Sequence, residues 1–231
     1  MRSEPADREP EREMSLHIYL TRTPGVVHPS HEESVLAALA LLLGPETDYH
    51  LRVRATRRLA RQGPALIPLL LTTLSNYPEI TSPPWPLWPP QYEHCSRLLI
   101  HLSQSAQVRL ETLLHHPAIS QPVGPVLWTS VIEAAGLLPD ANYETFLCSG
   151  LATSWTTVRY AAAMALAQLA GKNPLCQSTL EVLSTCQDEG EPSPVRLAAS
   201  YTLLRSGDSR GVEILMKLLD RAKSGVPTGT K

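Results

Sequence analysis

The 231-residue chain is 43% hydrophobic and 18% charged, with a formal net charge of −2. A chain of this length and composition can bury a substantial core, which excludes disorder throughout. The whole net charge falls in residues 1–13, which hold three Arg and five Asp or Glu. The neutral remainder therefore offers no global field that would attract nucleic acid or a membrane surface.

The N-terminal region predicts a short disordered segment followed by a helix. Residues 1–14 lack apolar periodicity, so we expect them to be disordered. Ser30 and Glu33 fit a capping box ahead of the apolar run 35–43, and Gly44 with the following proline ends that helix. This run is shorter than the roughly 20 residues that span a bilayer. We expect no membrane partner and a cytoplasmic protein.

Internal repeats come next along the chain. Segments 51–63, 158–170 and 195–207 align without gaps, with apolar residues at i, i+4 and i+8. This spacing places them on one face of a helix. Segment 124–136 is a weaker copy, and 90–103 fills the remaining gap, which gives a unit of about 36 residues.

Each of these segments is followed by a second helical stretch, so the unit is a helical hairpin. A glycine closes the first helix, and Asp140 or Asp208 can cap the next. The pattern predicts an all-α fold of five hairpins after one leading helix, about eleven helices, within residues 15–223. We expect residues 224–231 to form a flexible tail.

The pattern Val158-Arg159-x-x-Ala162-x-x-x-Leu166, with Gly207-Asp208-x-Arg210-x-Val212 in the last unit, resembles the HEAT-repeat family. It is similar in particular to the short HEAT-like repeats first noticed in phycobilisome lyases. The resemblance implies an α-solenoid, an architecture that hosts many functions. Arginines stand at the family's recurrent arginine position, and the resemblance implies that they bond carbonyls or acidic groups of the neighbouring repeat; ligand binding is the alternative. These structural arginines are Arg52, Arg159 and Arg196.

An insertion at residues 76–90 breaks the pattern, because it places six prolines and two tryptophans where a short turn of the second hairpin is expected. Proline cannot continue a helix, so the segment must be extended or turned, and it must be stiff. Trp85 and Trp88 either form a rigid aromatic arm that packs on a partner or lie buried in a lid over a degenerate repeat.

Four arginines crowd one face of the first hairpin's leading helix: Arg54, Arg57, Arg58 and Arg61. They bind an anionic partner, or they form a solvated face paired with Glu46, Asp48 or the acidic N-terminal segment. The matched positions of later helices are His94, Arg97, Leu98 and His101, then Leu127, Ser130, Val131 and Ala134, then Ala161, Met164, Ala165 and Gln168, then Ala198, Tyr201, Thr202 and Arg205. If this stripe lines a groove, the groove is basic at one end and apolar at the other, which suits an anionic segment followed by an apolar one.

Cysteine and histidine spacings indicate no metal centre or cofactor. The four cysteines form no Cys-x-x-Cys pair, so we expect reduced thiols in a reducing compartment. His94, Cys95 and His101 could offer metal ligands, since positions seven apart share a helix face, yet no second cluster completes a zinc site. Familiar catalytic motifs are absent, although catalytic groups could come from different repeats.

The favoured interpretation is a non-enzymatic scaffold or adaptor that binds another protein through the groove and through the insertion at residues 76–90, which we call the Trp/Pro loop. The first alternative is a HEAT-like protein of the bilin-lyase type that holds an acidic chromophore. A weaker alternative is a HEAT-like nucleic-acid-binding protein or DNA glycosylase. The candidate partner-binding residues are Arg54, Arg57, Arg58, Arg61, Trp85, Trp88, Tyr92 and Arg97.

Overall fold

The computed structural model describes residues 29–44, 47–77, 90–119, 123–138 and 140–223, without the side chains of 29–32, 90–92, 218, 219 and 221–223. These residues form ten α-helices and contain no strand. The prediction of an all-α fold is confirmed for them. The α-helices are α1 (Pro29–Leu43), α2 (Tyr49–Ala60), α3 (Ile67–Asn76), α4 (Pro90–Ala106), α5 (Pro125–Leu137), α6 (Glu144–Leu151), α7 (Thr156–Ala170), α8 (Gln177–Thr185), α9 (Ser193–Arg205) and α10 (Arg210–Lys223). Short 3-10 helices cover Gly63–Leu66, Leu110–His115 and Ala141–Tyr143.

Six of the helices pack in series. Helix α1 packs against α2, α2 against α4, α4 against α5, α5 against α7, and α7 against α9. The contact between α4 and α5 includes a hydrogen bond from the Ser96 hydroxyl to the Glu133 carboxylate, 2.8 Å long. Between α7 and α9, the buried Thr202 hydroxyl donates to the Ala163 carbonyl at 2.8 Å.

The remaining elements pack on the side of this series. The ring of Trp128 in α5 stacks on Phe146 in α6, with centroids 5.9 Å apart. The Glu144 carboxylate at the start of α6 accepts from the Cys176 backbone N–H at 2.8 Å, which ties α6 to the start of α8. A continuous core of buried leucine, alanine, valine and isoleucine side chains runs through both sets of helices.

Local sequence signals account for several helix ends. The Asp48, Asp140 and Asp208 carboxylates each accept a backbone N–H two residues later, which caps the following helix. Gly63 and Gly207 adopt left-handed backbone conformations, with φ of 62° and 78°. Glycine adopts this region without the steric cost that a Cβ brings, so these two turns follow the prediction.

Other sequence-based expectations need correction. Helix α1 begins at Pro29, so Ser30 is inside the helix rather than its cap. Gly136 lies within α5, and Gly171 has a right-handed conformation after α7, so neither closes a helix by a left-handed turn. The second element of the second hairpin is the 3-10 helix Leu110–His115 rather than an α-helix, because Pro117 leaves no room for another turn.

Three predicted segments lie wholly or largely outside the described residues: the N-terminal 1–14, most of the insertion 76–90, and the tail 224–231. The insertion connects α3 to α4 and so lies between two hairpins rather than inside the second one. Of the helices that the structure describes, none reaches the length and hydropathy of a membrane-spanning segment.

Candidate functional site

The four arginines of α2 form an exposed basic surface. Arg54, Arg57, Arg58 and Arg61 are all exposed, whereas Ala55 and Leu59 on the opposite side of the helix are buried in the core. Residues three and four apart share a helix face, so the four guanidinium groups lie together. We call this surface, defined by the four arginines, the α2 arginine face.

The charges of this face are not neutralised by any carboxylate in the described part of the chain. Arg58 donates to the Ser34 hydroxyl of α1, which is uncharged. The Asp48 carboxylate instead caps α2 by accepting from the His50 N–H at 2.7 Å. The expectation that Asp48 pairs with the stripe is therefore wrong, while Glu46 and residues 1–13 lie outside the described residues.

Other arginines in the described residues do form ion pairs, unlike those of the α2 arginine face. Four of them form ion pairs, with N–O distances of 3.1 Å or less. The pairs are Arg97 with Glu93, Arg109 with Glu111, Arg159 with Glu191, and Arg210 with Asp208. The α2 arginine face is therefore unusual in this chain because it combines four adjacent cations with no ion pair in the described residues.

The other predicted binding residues lie on α4 or in the insertion 76–90 rather than on α2. Arg97 is exposed on α4, but the Glu93 carboxylate holds its guanidinium at 2.9 Å. Tyr92 lies in the first turn of α4, and its side chain is outside the description. Trp85 and Trp88 also lie outside the described residues, so the role of the Trp/Pro loop stays a prediction.

The predicted groove stripe does not continue unbroken as an exposed surface along the later helices. His94 and Leu98 of α4 are buried, at 4% and 0% exposure. On α5, all four stripe positions, Leu127, Ser130, Val131 and Ala134, are buried. Helix periodicity gives the register of each helix, but the packing of neighbouring helices decides which faces remain exposed. The stripe is thus exposed on α2, half exposed on α4 and α9, and buried on α5.

The three repeat arginines bind backbone carbonyls that follow the preceding helix. Arg52 donates to Gly44 after α1, Arg159 to Thr153 after α6 at 2.8 Å, and Arg196 to Gln187 after α8 at 3.1 Å. Carbonyls at a helix C-terminus carry partial negative charge and lack intrahelical partners. Each arginine therefore ties the start of a first helix to the end of the helix before it.

The burial of the His94 side chain was not predicted from sequence. His94 packs its ring against Tyr49 of α2, with centroids 5.4 Å apart, and its Nε2 has no hydrogen-bond partner in the described residues. Burial lowers the pKa of His94; Glu93 opposes this shift, and the Arg52 and Arg97 cations add to it. No sequence signal separates this histidine from the exposed His101 two turns later.

The cysteines are free thiols, of which Cys95 and Cys148 lie in helices and Cys176 and Cys186 flank α8. Cys95 and Cys186 are buried, Cys148 is half-buried and Cys176 is exposed. Desolvation raises the pKa of Cys186 to about 11 and raises that of Cys95 further. In the described ranges, no three His, Cys, Asp or Glu side chains converge on a position that could hold a metal ion.

Comparisons with known proteins do not assign a family. No family model matches the chain, and no curated protein matches it. The HEAT-repeat resemblance therefore stays a prediction, and the functional argument rests on the residues themselves.

Proposed function

We propose that the chain is an α-solenoid of HEAT-like hairpins that serves as a non-enzymatic scaffold or adaptor in the cytoplasm. The serial packing of α1, α2, α4, α5, α7 and α9 supports the architecture, because the repeats of a solenoid stack one after another and each contacts its neighbours. The recurring bond from Arg52, Arg159 and Arg196 to a preceding helix end supports a repeated unit.

The proposed binding surface is the α2 arginine face, and its ligand is an acidic segment of another protein. The observation that carries this proposal is the group of four exposed guanidiniums without ion pairs in the described residues. Like charges three and four residues apart repel each other. A ligand that brings carboxylates to this face relieves that repulsion.

Guanidinium chemistry favours carboxylates over other acceptors. The planar fork of arginine binds a carboxylate with two parallel hydrogen bonds. Four arginines over two turns of helix offer several such forks within about 10 Å. We expect the encounter with an acidic partner to be steered electrostatically, so that the association rate falls as salt rises.

A peptide-binding experiment tests the proposal. The probe is a fluorescein-labelled peptide of eight consecutive glutamates, followed by anisotropy at low and physiological salt. The test variant replaces Arg54, Arg57, Arg58 and Arg61 by Ser. We expect it to weaken binding at least 10-fold, because the carboxylates lose their hydrogen-bonding partners.

A matched control separates the local site from net charge. The control variant replaces four exposed cations elsewhere by Ser, namely Arg109, Lys172, Arg205 and Lys217. It changes the net charge by the same amount, and we expect less than a 3-fold loss. Equal weakening of both variants would show that only net charge matters, and tighter binding of labelled duplex DNA at physiological salt would favour a nucleic-acid partner.

The chromophore-handling alternative predicts a different result. A chain that holds an acidic chromophore against the α2 arginine face should show visible absorbance after purification from its source. Loss of that absorbance in the arginine variant would replace the protein-binding proposal with a small-molecule one. A colourless protein that still binds the glutamate peptide supports the scaffold.

A further inference from the structure

Two leucines of the first two described helices are exposed close to the α2 arginine face. Leu41 of α1 is 40% exposed and Leu51 of α2 is 41% exposed, whereas Leu42 and Leu59 of the same helices are fully buried. A single exposed leucine is common on protein surfaces, so the relative position of the two decides whether they matter. We call Leu41 and Leu51 the leucine pair.

Two hydrogen bonds fix how α1 lies against α2. In the first half of α1, the Ser34 hydroxyl accepts from Arg58, which lies in the last turn of α2. Just after α1, the Gly44 carbonyl accepts from Arg52 in the first turn of α2. Residue numbers rise along α1 as they fall along α2, so the two helices are antiparallel.

This arrangement brings the leucine pair together. Leu41 follows Ser34 by seven residues, and Leu51 precedes Arg58 by seven residues. Seven residues make two helical turns, so each leucine lies on the same helix face as the residue of the Ser34–Arg58 bond on its own helix. Because the helices are antiparallel, both leucines lie toward the same end of the hairpin, about 10 Å from that bond.

The surface between the leucine pair and the cations is open. Ala37, between Ser34 and Leu41 on α1, is exposed and small. On α2, the exposed Arg54 lies three residues after Leu51 and four before Arg58. A line along α2 therefore runs from an apolar end over Arg54 and Arg58 to Arg61, about 15 Å in all.

The spacing along this line fits a peptide with both kinds of side chain. An extended peptide rises about 3.3 Å per residue, so an apolar side chain over the leucine pair would lie about one to five residues from carboxylates over the arginines. A nucleic-acid backbone brings phosphates but no aliphatic side chain, so it would leave the leucine pair exposed to water.

We propose that the leucine pair binds an apolar side chain of the acidic partner segment, so that the partner is an acidic peptide with a leucine-sized residue among its carboxylates. This assignment rests on the proposed binding of an acidic segment to the α2 arginine face. The arginines attract any acidic segment, whereas the leucine pair favours one that can bury apolar surface against it.

Two fluorescein-labelled nonapeptides test the assignment on the full chain. One has a leucine between two runs of four glutamates, and the other has serine in place of that leucine. The two peptides carry the same charge, and the central position allows either chain direction. We expect the leucine peptide to bind at least 5-fold more tightly, as measured by anisotropy at physiological salt.

Variants of the leucine pair locate this preference. Leu41→Ser and Leu51→Ser should each reduce it to less than 2-fold, with circular dichroism confirming that the variants are folded. Val108→Ser is the matched control, because Val108 is 41% exposed and lies outside α1 and α2. We expect this control to keep the full preference.

Equal binding of the two peptides by the wild-type chain would overturn the proposal, and so would a preference that persists in both folded leucine variants. A preference that appears only after Glu9, Glu11 and Glu13 are replaced by Gln would show that the chain's own N-terminal residues occupy the surface, which also overturns it. These failures differ from failure of the proposed function, since replacing the four arginines should weaken both peptides at least 10-fold whether or not the leucine pair contributes.

Discussion

The contact between α5 and α7 can be tested with one added methyl group. Gly136 of α5 lies against Ala165 of α7, and a Cβ at Gly136 would be 2.5 Å from the Ala165 Cβ and 2.8 Å from its Cα. Carbon atoms in ordinary contact are about 3.5–4 Å apart. Ala165 is 2% exposed and has no flexible side chain that could move aside. Gly136→Ala should therefore push the two helices apart.

Two opposing terms set the expected size of this effect. Overpacking a close helix contact costs about 1–3 kcal/mol. Alanine in place of glycine favours a helix by up to about 1 kcal/mol. Gly136 is the penultimate residue of α5, so this gain should be at the low end. We expect Gly136→Ala to lower the free energy of unfolding by about 1–2 kcal/mol, or about 2–8 °C in Tm.

Urea unfolding followed by circular dichroism measures the change. Gly190→Ala is the matched control, because a Cβ there meets no atom within 4 Å, and this variant should be neutral or slightly more stable. Adding Ala165→Gly to Gly136→Ala should restore part of the lost stability, giving a favourable coupling energy of about 1 kcal/mol. If Gly136→Ala is as stable as Gly190→Ala, the close contact between α5 and α7 is wrong.

Three further variants test other contacts. Burial lowers the pKa of His94, so the unfolded chain takes up a proton more readily than the folded chain. The free energy of unfolding should therefore be greatest above about pH 6.5 and should fall as pH drops from about 7 to about 5. His94→Gln should flatten this slope in urea titrations at several pH values. Thr202→Val removes the bond between α9 and α7 and should cost about 1 kcal/mol of unfolding free energy, whereas the exposed Thr185→Val should cost almost nothing, and equal losses would contradict the contact. In Arg159→Lys, the lysine ammonium cannot bond both the Thr153 carbonyl and the Glu191 carboxylate, so Tm should fall by a few degrees. An unchanged Tm would argue against the contribution of these two bonds to stability.

The spacing of apolar residues was sufficient to predict where the first helix of several hairpins lies in the sequence. Apolar residues at i, i+4 and i+8 marked α2, α7 and α9, and Leu59, Leu166 and Leu203 are fully buried in them. Gly63 and Gly207 marked real turns because their left-handed backbone conformations favour glycine. These features depend on short-range geometry, which the local sequence records directly.

Helix periodicity could not predict which positions of the stripe remain exposed in the folded chain. The matched positions on α5, such as Val131, are buried because neighbouring helices cover them, and this depends on which helices meet across the array. One signal was present, since a stripe of valine, leucine and alanine is typical of an interior surface. On α2 the arginines marked the face that stays exposed.

Polar side chains in the interior were the hardest feature to predict. Ser96 and Glu133 form their hydrogen bond across α4 and α5, although 37 residues separate them in the sequence. His94 is also buried, while His101 on the same helix is exposed. The local patterns of these residues do not differ, because burial here is decided by partners on other helices.

Distances between spin labels test the serial order of the helices most directly. Labels on cysteines introduced at the exposed positions Arg57, Arg97 and Tyr201, in a chain with Cys148 and Cys176 replaced by Ser, report on α2, α4 and α9. Neighbouring helices pack about 8–10 Å apart, and α9 is four steps from α2 in the series. A serial array predicts about 30–40 Å between positions 57 and 201, well beyond the distance between 57 and 97. A distance of about 20 Å or less would show that the helices close into a bundle and would contradict the array.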